Sequence, residues 1–470
     1  VNCAHCVTCP PMPQSPSVST YERVAMAAEP HIKRPPLHRF QVMIVLLCAL
    51  LNALDGYDIF IMGFAIPYFP DDFASSSMQG YLISAALAGM GIGSVAFAPL
   101  ADRYGRRLVL MAGLTLNAVG LTVSALAPNY WVLLGSRVIT GIAVGTIATV
   151  VVVLAPEVVP RAWRSFAVGT VMCGYPLGST IAGFAGAALL AAVGGSWQGM
   201  FWVGLVLCII ALIATVVFMP ESTAFLLSKG DPESLQKAAV TQSRLGLEDD
   251  APVVQADEDE VRKSPATVRL LGRELRTLTL LLWTTYTALS ASFYFISSWT
   301  PKLITDATSD KAEGALAGLM ISFGTLAGAA LYATVGHKVS PPRYIVAGSV
   351  VAVVALIGFA STLNGGFALM MAAVMGITVY GAMAATVTST LVYPVLARTR
   401  GMGTMIGVAR VGAILAPILA GYALSFVSIR SLYFSVVVLL VLALLAAVSL
   451  LSLSRKTKQS SEVQSLQTSR

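Results

Sequence analysis

The chain has 470 residues, of which 56% are apolar and 11% charged, against roughly 25% charged in an ordinary soluble domain. So few charges cannot cover a water-soluble core of this size, which excludes a cytosolic enzyme, a disordered chain and a disulfide scaffold. The reading is an all-α membrane protein, and the net charge of +7 is informative mainly through its placement.

Residues 1–38 are rich in Pro and Ser and lack the apolar run of a signal peptide, so they are expected to form a disordered cytoplasmic tail. The first residue is valine, with Met12 and Met26 as alternative starts. Cys3, Cys6 and Cys9 surround His5 at a metal-like spacing, but no second ligand cluster accompanies them, and no metal or cofactor is assigned. Cys48, Cys173 and Cys208 fall in apolar segments, where cysteine ordinarily behaves as a small hydrophobe.

Twelve apolar segments follow, near 40–63, 81–100, 107–127, 131–155, 166–190, 200–219, 277–299, 314–335, 344–362, 366–391, 403–426 and 431–453. Each is long enough to cross a hydrocarbon layer of about 30 Å. They divide into two six-helix halves, 39–227 and 277–454, with a cytoplasmic linker at 228–276 and a tail at 455–470. With the N-terminus inside, 25 Lys and Arg residues face the cytoplasm, and only Lys302, Lys311 and Arg430 lie in outer loops. That bias predicts both termini in the cytoplasm. The basic balance therefore records topology in a lipid bilayer and calls for no nucleic acid.

Four ionisable groups sit well inside spans: Asp55 and Asp58 in the first, Arg137 in the fourth and Arg410 in the eleventh. Each opposes insertion by about 2.5–3.5 kcal/mol at a helix centre, so such groups face the bundle interior and find partners. Structural salt bridges are the plain alternative to a transport pathway. Asp55 and Asp58 lie three apart on one helical face, where two acids cannot both stay ionised cheaply. They are the expected proton-coupling pair, the alternative being that one caps a break at Gly56. Arg410, with Gly412 and Pro417 beyond it, suits a carboxylate or phosphate on a substrate. Arg137 opens a close-packing stripe through Gly141 and Gly145, and reads either as coupled to the acids or as a helix-packing counter-ion. In span five, Gly174-Tyr175-Pro176-Leu177-Gly178 is expected to loosen the helix. Tyr57, Phe60, Tyr175, Tyr294, Trp299 and Tyr380 are candidates to stack on a ring, with ordinary packing as the alternative. The substrate-binding set is thus Arg410, Arg137, Tyr57, Tyr175 and Tyr294.

The linker carries an acidic run, Asp257 to Glu260, and then a basic stretch. The segments flanking it echo each other. Pro156, Gly169, Gly174 and Gly183 recur at one constant offset as Pro394, Gly407, Gly412 and Gly421, as parallel six-helix repeats would. Halves of this kind expose a central cavity alternately to each side.

The loop after the second span reads Pro99-Leu-Ala-Asp102-Arg103-Tyr-Gly105-Arg106-Arg107 and resembles the signature loop of the major facilitator superfamily. By that resemblance Asp102, Arg103, Gly105, Arg106 and Arg107 form a gating loop whose charges pair across the halves. Ala98 stands where the pattern usually has Gly, and the corresponding loop Gly336–Arg343 lacks the acid. Asp55-Gly-Tyr-Asp58, Cys173 to Gly178, Pro220-Glu221-Ser222, Ser298-Trp-Thr-Pro301 and Tyr393 through Arg410 resemble the aromatic acid:proton symporters. Trp197-Gln198 and Thr223-Ala224 depart from that family's usual residues. The resemblance implies a monomeric carrier in the cell inner membrane that imports a small aromatic acid anion with protons. A sugar or drug carrier and a transporter-derived nutrient sensor are the alternatives. No nucleophile–base pair or phosphate loop suggests an enzyme.

Overall fold

The computed structural model describes residues 36–186, 196–247, 270–272, 275–336, 338–390, 393 and 395–468, with backbone alone at 395–399 and 454–468. The Cys3/His5/Cys6/Cys9 tract, the Asp257–Glu260 run and Pro394 lie outside the described residues.

Among the described residues twelve long helices follow one another. The first six are α1 (Arg39–Ala65), α2 (Ser76–Ile92), α3 (Arg106–Ala125), α4 (Tyr130–Leu154), α5 (Arg164–Phe184) and α6 (Gln198–Phe218). The second six are α7 (Arg276–Thr308), α8 (Lys311–Val335), α9 (Pro341–Thr362), α10 (Gly365–Ser389), α11 (Val395–Ala423) and α12 (Ile429–Thr468). Ten are long and apolar enough to cross a membrane by length and composition. The other two, α5 and α7, are the helices in which Gly, Ser, Thr and Tyr concentrate.

Local chemistry shifts several predicted ends. Ser75 caps α2 through the Met78 N–H, so the helix begins at Ser76 rather than 81. The helix α7 runs past 299 and through Pro301, and Lys302 pairs with Asp306 one turn apart near its end. The segment expected as a plain linker contains a helix at Pro232–Leu245, and a shorter one at Thr223–Lys229 straddles its start. Asp231 caps the longer one by accepting from the Ser234 N–H at 2.9 Å, ahead of Pro232 in the first turn. Gln41 Nε2 then donates to the Leu245 carbonyl at 2.7 Å, docking this helix on α1.

The repeat read from glycines reappears as packing. Gly174 in α5 lies against Ala49 of α1, and its counterpart Gly412 in α11 lies against Thr287 of α7. Gly183 meets Leu319 of α8, and its counterpart Gly421 meets Ser76 of α2. Thus α5 and α11 each pack on the first helix of their own half and reach across to the other half. Each does so at matching positions.

The bundle has a basic end, carrying Arg103, Arg106 and Arg107, and an opposite end. Towards the opposite end the halves touch. Tyr81 and Tyr422 share a hydroxyl hydrogen bond of 3.0 Å, Ser84 Oγ donates to the Ile414 carbonyl at 2.7 Å, and Ser179 Oγ donates to Ser322 Oγ at 2.8 Å. Towards the basic end the paired glycines Gly169 and Gly407 have no neighbour within 4 Å of a Cβ position.

Candidate functional site

Both acids of α1 are buried, at 2% exposure for Asp55 and 1% for Asp58. No break occurs at Gly56, because α1 is one continuous helix. The glycine is instead needed for close approach: a Cβ there would lie 2.0 Å from the Tyr175 carbonyl of α5. Neither acid is therefore a cap on a helix break.

The two carboxylates have different surroundings. Asp58 Oδ1 accepts from Arg137 Nη1 at 2.9 Å. Arg137 is fully buried, donates through Nη2 to Ser124 Oγ at 3.1 Å, and stacks its guanidinium 4.9 Å from the Phe201 ring centre. Its neighbours belong to α1, α3 and α6 of its own half, so Arg137 is turned away from the centre of the bundle. Asp55, by contrast, has no ion pair among the described residues, and its buried Oδ1, like Asp58 Oδ2, has no hydrogen-bond partner there. Its electrostatic neighbours are Arg410 and Asp58, and the hydroxyls of Tyr175, Tyr294 and Tyr380 lie within reach of its charge.

Arg410 comes from the other half. It is partly buried, and the partner of its Nη1 is the Met90 sulfur of α2, at 2.8 Å. A thioether is a weak acceptor and leaves most of the guanidinium's donor capacity unused. An aromatic group completes the centre. Phe60 of α1 packs edge-on to Tyr175 and Phe293, with ring centres 5.7 Å away in each case, and stacks on Tyr294 at 6.1 Å. Tyr175 and Tyr294 join their hydroxyls across the halves at 3.1 Å, and Phe293 touches Tyr380 at 5.5 Å.

The structure thus gathers Asp55, Arg410, Tyr175, Tyr294, Phe60 and Tyr380, and leaves others of the expected set outside. Tyr57 is spent on packing: its hydroxyl donates to the Met200 carbonyl at 2.8 Å and its ring fills the space beside Gly204 of α6. Trp299 is fully buried, with its indole N–H on the Pro417 carbonyl at 3.2 Å. Met90 and Phe293 belong to the centre and were not singled out from the sequence. Phe293 carried a signal, since it adjoins Tyr294 in a Ser-rich stretch. Met90 carried none.

The gating loop also differs from expectation. Among the described residues its charged groups meet Glu157 and Glu221 of the first half rather than partners across the halves. Arg106 Nη1 reaches Glu157 Oε2 at 3.0 Å and also bonds Ser222 Oγ. Glu221 Oε1 accepts the Arg106 and Arg107 N–H groups at 2.8 and 3.2 Å, capping the N-terminus of α3. Gly105 makes this possible. Its φ of +100° is a backbone state for glycine, and a Cβ would stand 2.6 Å from Glu221 Oε2. Asp102 reaches Arg106 only at 3.6 Å and is 68% exposed, while Arg103 lies 5.4 Å over the Tyr104 ring.

Two repeated six-helix halves meeting round buried charges define a membrane transporter rather than an enzyme. The chain belongs to the Major Facilitator Superfamily, whose family model matches residues 48–395. It is 30% identical over 424 residues to the 4-hydroxybenzoate transporter PcaK of Acinetobacter baylyi, covering 87% of this chain and 92% of that one. It is 29% identical to the 3-(3-hydroxy-phenyl)propionate transporter of Escherichia coli, covering 80% and 85%. Among solved structures, that of a D-xylose-proton symporter superimposes with a TM-score of 0.66 at 16% identity, covering 87% of this chain and 97% of that one. That likeness concerns the fold.

Proposed function

We infer that the protein imports a small aromatic acid anion together with protons, through the centre formed by Asp55, Arg410 and the aromatic group. The observation that carries this reading is an unpartnered buried carboxyl oxygen on Asp55 together with an arginine whose hydrogen-bond partner among the described residues is a thioether, beside stacked rings. Arg410 supplies a forked cation for the substrate carboxylate. Phe60, Phe293 and the tyrosines offer faces and edges to an aromatic ring. Asp55 carries the coupled proton, whereas Asp58 anchors Arg137. Names among the relatives point the same way, since they include hydroxybenzoate, hydroxyphenylpropionate and gallate transporters.

Proton coupling has a clear purpose for such a cargo. Moving an anion inward against a negative interior costs about 2.3 kcal/mol per charge per 100 mV, and co-transported protons cancel that work. The basic end then faces the cytoplasm, as the Lys and Arg distribution favours, and the protein resides in the cell inner membrane with both termini inside. One bundle contains the whole centre, so a single chain suffices.

Uptake of labelled 4-hydroxybenzoate and of glucose into membrane vesicles, with an imposed pH gradient, tests the reading. The acid should accumulate only with the gradient, and the Asp55→Asn variant should not accumulate it. Glucose accumulation in place of the acid would favour the sugar-carrier alternative. Full uptake by Asp55→Asn would overturn the assignment of the proton.

A further inference from the structure

Amid the rings at the centre lies a pair of tyrosine hydroxyls. Tyr175 of α5 and Tyr294 of α7 bring their oxygens to 3.1 Å from opposite halves, in a bond that is only partly buried. Packing holds both side chains in place. Phe60 meets Tyr175 edge-on at 5.7 Å and stacks on Tyr294 at 6.1 Å, and Phe293 stands edge-on to Tyr294 at 5.4 Å. The two oxygens are therefore flanked by phenyl surface, which offers them no hydrogen bond of ordinary strength.

The pair is not saturated. A phenolic hydroxyl has one hydrogen to donate and lone pairs with which to accept. Within the pair one hydroxyl donates and the other accepts, and neither has a further hydrogen-bond partner among the described residues. That leaves one hydrogen on the accepting tyrosine and a lone pair on the donating one. The Tyr81–Tyr422 pair at the opposite end is exposed, so water can complete it. The central pair, set among rings, depends on what enters the centre.

Charge decides which part of a substrate that is. Both hydroxyls lie within reach of the Asp55 charge, which disfavours a second anion beside them. A substrate carboxylate goes to Arg410 instead. The group that matches the pair is neutral and both donates and accepts, as a ring hydroxyl does.

We propose, resting on the function inferred above, that Tyr175 and Tyr294 are specificity-determining residues that read a hydroxyl group on the substrate ring. The substrate hydroxyl accepts the unspent tyrosine hydrogen and donates to the other tyrosine, which closes a cycle of three hydroxyls across the two halves. The cycle closes whichever tyrosine is the donor. Benzoate, with no hydroxyl, forms neither bond. The tyrosines then keep only each other, so its penalty is two missing hydrogen bonds and no stranded charge.

The test compares uptake of benzoate with the better of 3- and 4-hydroxybenzoate, whose hydroxyls stand clear of the carboxylate, in vesicles with an imposed pH gradient. For the unaltered chain, kcat/KM should favour the hydroxylated acid by about fivefold to a hundredfold. Tyr175→Phe and Tyr294→Phe should each lower that ratio by about twofold to tenfold, and the double variant should bring it near one. Where a variant transports too slowly, titration calorimetry of the purified protein gives the same comparison as a ratio of Kd values. A pair that serves packing alone would affect both acids alike. An unchanged ratio in the double variant, or equal kcat/KM for the two acids in the unaltered chain, would overturn the assignment while leaving acid import intact. Accumulation of neither acid by the unaltered chain is a distinct result, and it would remove the function on which the proposal rests.

Discussion

Asp58→Asn perturbs a buried ion pair whose strength follows from its geometry. At 2.9 Å and an effective dielectric constant of about 20, two unit charges attract by about 6 kcal/mol. Desolvation offsets part of that attraction in the native protein, but the variant leaves Arg137 charged, fully exposed to none of the solvent and without its counter-ion. The expected net loss is about 3–5 kcal/mol. Asp55→Asn differs, because Asp55 Oδ1 has no hydrogen bond to lose, and its stability should stay within about 1 kcal/mol of the parent. The assay is residual monomer after heating in detergent, read by size-exclusion chromatography for both single variants and for Asp58→Asn/Arg137→Met. The double variant should regain most of the loss, since a neutral pair no longer strands a charge. An Asp58→Asn protein as heat-resistant as Asp55→Asn, or a double variant weaker than Asp58→Asn, would refute the division of roles between the two acids.

Gly105→Ala should lower heat resistance by about 1–3 kcal/mol, since alanine must adopt a backbone state reserved for glycine and crowd Glu221. Unchanged heat resistance in the same detergent assay would remove the argument for this clamp. Tyr422→Phe breaks the Tyr81 hydroxyl contact at the opposite end, a bond of about 0.5–1.5 kcal/mol. In a chain whose other cysteines are serine, labelling of Cys173 by a membrane-impermeant thiol reagent from that side should rise about twofold to tenfold. A constant labelling rate would show that this contact does not hold the halves together.

Much of the fold could be read from the residues because a bilayer restricts the options to runs of apolar helix. The twelve spans, the two halves and the cost of Asp55, Asp58, Arg137 and Arg410 all follow from composition and spacing. Partner choice did not follow. Asp55 and Asp58 sit on one face of α1 and look alike in the chain, yet one faces α4 and the other faces the second half. That outcome depends on helix packing set by Gly56 and its fellows, which no spacing rule encodes. The pairing of the Arg106 guanidinium with Glu157 and Ser222 is long-range in the same sense. The helix at Pro232–Leu245 was different, because its signals were present. Asp231-Pro232 at one end and Gly246 at the other mark both termini, which the charge runs of this segment do not reveal.

Asp55 belongs to one half and Arg410 to the other, and with the proton on Asp55 and the substrate carboxylate on Arg410, as proposed above, this division governs coupling. Empty, the centre holds one negative and one positive charge, so it is balanced when the halves move. Loaded with both cargoes, it holds a protonated Asp55 and a carboxylate neutralised by Arg410, and is balanced again. With only the anion or only the proton aboard, one charge is left over in an apolar interior, where an uncompensated ion is costly. Stoichiometric coupling then needs no separate interlock: partly loaded carriers stall because the half-turn would have to carry a bare charge through the barrier.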